Sequence, residues 1–393
     1  MNTAHDFRRT LALRLFALLA VSVPAAGATG CFTMSSCPDE SEPVVTEECF
    51  TWPPDQNAGG GGGIGGAGGA GGAGGAGGGG EPVACPAMAE AQQHINETRF
   101  GGNYTVKSGP TEKDGQCCYQ AEHVPICEGR PYLVDEVART APFARGGKDS
   151  GWSAAEAVAP QVDSLDPELR ALLAAAWTRD ALFEHASVAS FGRFALELLA
   201  AGAPAELVEE AHRAALDEAR HARLCFSLAS AYAGETIAPG AFPFEGRVEV
   251  VSDLASIAAR AAKEGCIGET IAAIIAAEEL AAAEDPAVRC VLAVIAEEEA
   301  RHAELAWRTV AWAVRAGGER VRGAVEEVFA GLARGDAIAM DSGHDAQLAA
   351  HGRLGDAARS EAAARAIAEV VRPAARALLA VRGEGAERAA LAS

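Results

Sequence analysis

The sequence predicts an all-α main body, a bundle of four long helices at residues 164–318. Three observations predict it. Four long stretches rich in alanine and leucine carry their apolar residues at helical spacing. Starting and stopping signals bracket them. Two of them contain near-copies of one short run: Asp217-Glu218-Ala219-Arg220-His221 and, 81 residues on, Glu298-Glu299-Ala300-Arg301-His302. In each copy a glutamate and a histidine stand three apart, one turn from each other on one helix face.

The elements follow in chain order. Residues 1–30 read as an export signal: basic Arg8, Arg9 and Arg14, then the apolar run Leu15 to Ala28, too short for a good spanning helix. The run closes on Ala28-Thr29-Gly30-Cys31. Small residues before a cysteine resemble the lipobox of bacterial lipoproteins, although Ala28 stands where such boxes usually carry leucine. The resemblance implies lipidation of Cys31, a place in the cell envelope and a membrane partner reached through a lipid anchor. Arg8-Arg9-Thr10-Leu11 is also similar to a twin-arginine signal, which exports folded proteins.

Residues 31–80 read as a tether. Within it, 59–80 are glycine and alanine apart from Ile64, a linker with nothing to bury. Residues 81–150 are expected to form a small cysteine-rich cap with strand-and-turn character from Cys117 to Pro131. The chain has ten cysteines. In an exported protein Cys37, Cys49, Cys85, Cys117, Cys118 and Cys127 are expected to pair, in a connectivity the sequence leaves open. Cys225, Cys266 and Cys290 sit in apolar helical stretches and are expected in the core.

The bundle begins at Asp166-Pro167, a capping side chain followed by proline at the first helical position. This helix should end near Ala201, before Gly202. Pro204 opens the second helix, which reaches about Ala233. A long Pro/Gly-rich connection, Gly234 to Val251, has the length of a crossover. Ser252 is the expected cap of the third helix, running to about Glu284. Asp285-Pro286 starts the fourth, ending at Gly317-Gly318. Residues 319–393 are expected to add outer helices near 319–334 and 357–382, the latter interrupted by Pro373.

Charged side chains are costly inside a bundle unless they are paired or bound to metal. Between Ala181 and Gly192 the only acidic residue is Glu184, on a face with Trp177, Val188, Phe191 and Leu198. Between Gly265 and Ala277 the only charged residue is Glu269, with Cys266, Ala273 and Ala276 on its side. The four helices therefore offer Glu184, Glu218/His221, Glu269 and Glu299/His302. Four carboxylates and two imidazoles suit two divalent cations, iron or manganese, with zinc as a substitute. A solvated face with Glu–Arg pairs is the plain alternative for one copy of the run. Two copies, with Glu184 and Glu269 in step on the other helices, favour the metal. His185 points about 100° from Glu184 and is not expected to be a ligand. Trp177 and Tyr232 are assigned to the core.

This order of residues, over roughly 165–316, resembles the di-iron carboxylate proteins of the ferritin-like superfamily. The short 1–2 and 3–4 connections and the long middle one match that topology. Acid-Glu-x-Arg-His, twice, looks like the repeat of bacterial di-iron hydroxylases. There the extra acid and arginine orient the histidines, a role that would fall to Asp217, Arg220, Glu298 and Arg301. The resemblance implies two iron ions and an oxidase or oxygenase acting with O2 or peroxide on a small-molecule substrate, fed by an electron donor the sequence does not name. Ferroxidase-like iron handling and manganese catalase-like detoxification are the alternatives. No rubredoxin-like C-x-x-C pair exists, which counts against a self-contained peroxidase. The net charge of −21 argues against a nucleic-acid partner.

Overall fold

The computed structural model describes residues 3–19, 44–50, 85–98, 105–113, 116–123, 129–134, 137–146, 151–153, 158–244, 246, 248–332 and 344–380. In chain order they form α1 (Thr3–Leu19), β1 (Val44–Phe50), α2 (Met88–Thr98), β2 (Thr105–Lys113), β3 (Gln116–His123), β4 (Leu133–Val134), β5 (Val137–Ala138) and β6 (Phe143–Arg145). There follow α3 (Pro167–Ala200), α4 (Ala205–Ala233), β7 (Ile237–Pro239), α5 (Leu254–Arg260), a π-helical stretch (Ala261–Glu269), α6 (Thr270–Ala282) and α7 (Pro286–Ala330). Last come α8 (Asp345–Ala350), α9 (Asp356–Ala366), a second π-helical stretch (Ile367–Val371) and α10 (Arg372–Ala380). The described chain is mostly helical, with a few short strands.

It divides into two compact units, Glu42–Pro125 and Met1–Ser41 together with Ile126–Ser393. The smaller unit holds an antiparallel sheet in the order β1-β3-β2. Ala91 and Ile95 of α2 pack on Val106, Cys117, Tyr119 and Ala121 of that sheet. A disulfide joins Cys85 to Cys117, and Cys118 is also disulfide-bonded. Cys31, Cys37 and Cys127 lie outside the described residues. The described residues between 129 and 146, which composition groups with the cap, fall in the helical unit.

In that larger unit the helix ends obey local chemistry. Asp166 caps α3 by accepting from the Leu169 N–H (2.9 Å), with Pro167 at the first position. Gly202 follows with φ +67°, and Gly234 closes α4 with φ +75°. Asp285 caps α7 through the amides of Ala287 and Val288. The third run is capped by Asp253, not by Ser252: its carboxylate accepts from the Ser256 amide (2.9 Å) and hydroxyl (2.7 Å), and from Arg320. The fourth run does not stop at Gly317-Gly318. Gly318 takes φ 63°, ψ −147°, a kink after which the helix resumes to Ala330. Near Pro373 the helix is likewise unbroken: the π-helical turn just before it loosens the ladder where proline has no N–H to give.

α3 packs along α4, α5 and α6 along α7, and α4 against α7. Their apolar faces meet around Trp177, Phe226, Leu228 and Leu292 at one end and Phe191, Ile274, Trp307 and Val310 at the other. Tyr232 and Trp177 are buried as expected, and so are Cys225 and Cys266. Cys290 is exposed, a correction: it lies on the solvent side of α7, beside the equally exposed Arg289. The connection after α4 is packed too. Its β7 pairs with β6, and Phe242 and Phe244 set their rings edge-on to Tyr132.

α1 lies on this body. Leu11 and Leu15 are fully buried against it, and Arg8 donates to Glu278 (2.5 Å) and Glu369 (3.0 Å). Among the described residues no helix is long and apolar enough to cross a membrane.

Candidate metal centre

Each of the four helical runs delivers one part of a single buried cluster. α3 brings Glu184, α4 brings Glu218 and His221, the π-helical stretch ends on Glu269, and α7 brings Glu299 and His302. The side-chain oxygens and nitrogens form two overlapping groups. Glu184, Glu218, His221 and Glu299 have ligand atoms all within 4.8 Å of one another, and so do Glu218, Glu269, Glu299 and His302. Glu218 and Glu299 belong to both. All six residues singled out by spacing thus converge.

The orientation of the imidazoles is informative. His221 Nδ1 lies 3.2 Å from Glu299, 3.6 Å from Glu184 and 3.7 Å from Glu218. His302 Nδ1 lies 3.2 Å from Glu218 and 3.6 Å from Glu299. None of these contacts is aligned as a hydrogen bond. His221 Nδ1, His302 Nδ1, one Glu218 oxygen and one Glu299 oxygen are buried without a partner. Orphaned buried polar atoms are rare and costly. Four of them within two overlapping groups of oxygen and nitrogen donors are the chemistry a divalent cation requires, so the residues fit a metal.

The far nitrogens of the rings are supported, and the support crosses between the copies. His221 Nε2 meets Glu298 at 2.9 Å, and His302 Nε2 meets Asp217 at 3.4 Å. Arg220 of the first copy pairs with Glu298 of the second at 3.1 Å. Arg301 of the second pairs with Asp217 of the first at 3.4 Å, and with its own Glu298 at 3.2 Å. Each copy's acid therefore serves the other copy's histidine.

Burial and crowding split the carboxyls. Burial pushes Glu184 and Glu269 well above the usual carboxylate range, and the neighbouring Glu218 and Glu299 push further the same way. Glu218 and Glu299 are equally buried, yet His221 and His302 hold both below that range. Burial alone would lower the two histidines, but the surrounding carboxylates raise both well above the ordinary value. Stripped of protons, four carboxylates carry the charge that two divalent cations balance.

Two features were not read from the sequence. The first is the π-helical stretch, whose wider turns set the register that turns Glu269 inward. Gly265 and Gly268 were its signal. A Cβ at Gly265 would strike Ala306, and one at Gly268 would strike the Gly129 carbonyl. The second is Arg130, fully buried on the segment before β4. Its Nε donates to Glu269 at 3.3 Å, and its Nη1 lies 3.7 Å from Glu264, which Arg193 also binds at 3.2 Å. The ring of His185 rests edge-on against Trp152 (4.8 Å) and outside the cluster, and burial lowers its pKa. A surface cleft lined by Gly151, Trp152, Leu216, Ala219, Arg220 and Arg223 reaches the centre's outer hydrogen bonds at Arg220.

No family model, curated protein or solved structure matches the chain.

Proposed function

We infer that this chain is an exported lipoprotein whose helical body is a ferritin-like four-helix bundle holding two metal ions, iron in the first place, and that it acts as an oxidase or oxygenase. One observation carries the reading: four orphaned, buried ligand atoms on Glu218, Glu299, His221 and His302 face one another inside two overlapping donor groups. Glu218 and Glu299, common to both groups, would help to hold both ions. Glu184 and Glu269 each complete one end. The mix of oxygen and imidazole donors selects iron or manganese over softer metals.

When bound, a pair of such ions supplies redox chemistry with O2 or peroxide. The protein's own part is to bind and orient. Each histidine offers Nδ1 inward as a neutral ligand, while Nε2–H is donated to Glu298 or Asp217, which fixes the tautomer and the ring plane. The ring of Phe191, 5.0 Å from that of His302, gives the cluster an apolar wall on that side. Glu184 has 19% of its side chain exposed, against 1% for Glu269, so the Glu184 end is the open one. The cleft at Arg220 offers a small-molecule substrate a seat one hydrogen-bonded pair away from His221.

The export reading rests on the basic-then-apolar start and on Ala28-Thr29-Gly30-Cys31. Elemental analysis of purified protein, reconstituted in turn with iron, manganese and zinc, is the first test. About two ions per chain are expected, and none with any metal would end the metal reading. Glu218→Ala should lose both, because that residue serves both groups. O2 uptake with Fe(II) then separates functions: turnover sustained by added reductant supports an oxidase, and uptake that ends once the iron is oxidised supports iron handling.

A further inference from the structure

The two ends of the cluster are not alike. Glu269 is hydrogen-bonded to the guanidinium of Arg130. Among the described residues no arginine or lysine pairs with Glu184, its counterpart on α3; its recorded ion pair is with His221.

Arg130 is built in, not laid on. Its segment is stitched to the helices on two sides. The Gly129 N–H donates to the Gly268 carbonyl (3.0 Å) in the π-helical stretch. On α3, the Ser187 hydroxyl donates to the Arg130 carbonyl (3.1 Å) and Arg193 to the Leu133 carbonyl (3.2 Å). The guanidinium lies over the rings of Phe191 (4.6 Å) and Phe194 (4.4 Å). Gly265 leaves the room the guanidinium occupies, and Gly268 the room for the Gly129 carbonyl.

The charges around it sort themselves. Glu264 is matched by Arg193, the closer of its two arginines. Arg130 is then left to Glu269. A guanidinium stays charged in any protein environment. An ion held by Glu218, Glu269, Glu299 and His302 must share Glu269 with that fixed cation, in surroundings where water screens little. An ion held by Glu184, Glu218, His221 and Glu299 has no such neighbour on its outer carboxylate.

We propose that Arg130 makes the centre unequal: it is a positioning residue that holds Glu269 in place and, by competing for that carboxylate, renders the Glu269 end the weaker and more readily exchanged of two metal sites. The proposal rests on the metal reading above. It accounts for a buried arginine aimed at a group that a bound metal would claim, and for an extra chain segment threaded against the π-helical stretch to deliver it.

The test is a Zn(II) titration of the full protein in competition with a chromophoric chelator, which reads two affinities without any turnover. The parent should bind two ions in steps at least about tenfold apart, the lower end of what an outer partner of a ligand is typically worth. Glu269→Gln, close in shape, should lose the weak step and keep the tight one. Arg130→Met keeps the stem between the two phenylalanines and removes the charge, so the weak step should tighten and the gap narrow. Arg130→Lys, which keeps the charge, should leave the gap open. A purely structural arginine predicts the reverse for Arg130→Met, a looser weak step. That result, a parent that binds two ions with one affinity, or loss of the tight step in Glu269→Gln would overturn the proposal while leaving the metal reading intact. Failure of the parent to bind any Zn(II), Mn(II) or Fe(II) would remove the reading beneath it. If Arg130→Met does not fold, Arg130→Gln, which also removes the charge, takes its place in the titration with the same opposed outcomes.

Discussion

At the scale of single residues, the acids one place before Glu218 and Glu299 carry the sharpest expectation. Asp217 supports His302 and Glu298 supports His221, so Asp217→Asn should fold normally yet bind metal about 10–100-fold more weakly. The loss should fall first on the ion that His302 serves, which the chelator competition reads directly. Asp253 gives a prediction away from the site. Burial on its own would raise its carboxyl, but Arg320 and the Ser256 hydroxyl and amide outweigh that and hold it below the ordinary value. A depressed folded-state pKa contributes stability that is whole above the unfolded value of about 3.9 and is lost as pH falls through the folded one. Asp253→Ala should therefore cost about 1 kcal/mol at pH 7. The difference from the parent should shrink as the pH falls through the folded-state value, below 3.8, which urea melts at a series of acid pH values would reveal. An unchanged midpoint at pH 7 would show the cap to be idle.

Helices and segments tell how much of this molecule its sequence discloses. Caps at Asp166 and Asp285 and the stop at Gly234 are local events, governed by one side chain or one φ angle, and they are legible in a row of letters. Ser252 and Asp253 are both good caps, and only the backbone entry angle with the long-range partner Arg320 chooses between them. Gly317-Gly318 reads as a stop because the second glycine does leave the helical region. It fails to end α7 because Val321 and Val325 beyond the kink still have a core to bury against. The six cluster residues were legible because charge on an apolar face is costly and the cost was repeated. Arg130 was not, since nothing in Gly129-Arg130-Pro131 shows that it will lie 3.3 Å from a residue 139 positions later. The π-helical stretch makes its own prediction. Gly268→Ala places a methyl against the Gly129 carbonyl and should destabilise the protein by about 1–3 kcal/mol, measured as a lowered urea midpoint. A neutral result would mean that the segment before β4 is free to move. α1 offers a contrast between processing and packing. Cleavage before Cys31 would strip away a helix that covers Glu278 and Glu369, so N-terminal sequencing of the envelope fraction tells whether that acidic, apolar groove is open in the mature protein.

Over the whole molecule, a disulfide serves the smaller unit and the proposed metal centre the larger. The Cys85–Cys117 bond closes a loop of sequence separation 32 in the smaller unit and should contribute about 3–4 kcal/mol by loop entropy. Without reductant Cys85, Cys117 and Cys118 should resist alkylation, while the exposed Cys290 reacts at once. Prompt labelling of the first three would place the chain in a reducing compartment. In the larger unit, a metal that binds the folded state better than the unfolded chain should raise the melting temperature as its concentration rises. The crossed acid–histidine pairs carry one more consequence, for how this chain tolerates being divided. α3 with α4 is one hairpin, and α5 to α7 is the other. Neither contains a histidine together with the acid that steadies it, because each has lent its acid across the gap. Two polypeptides made by cutting between α4 and α5 would each be half-equipped. Added metal should draw them together as complementary fragments, and Asp217→Asn in one fragment should weaken the grip of a histidine that resides in the other.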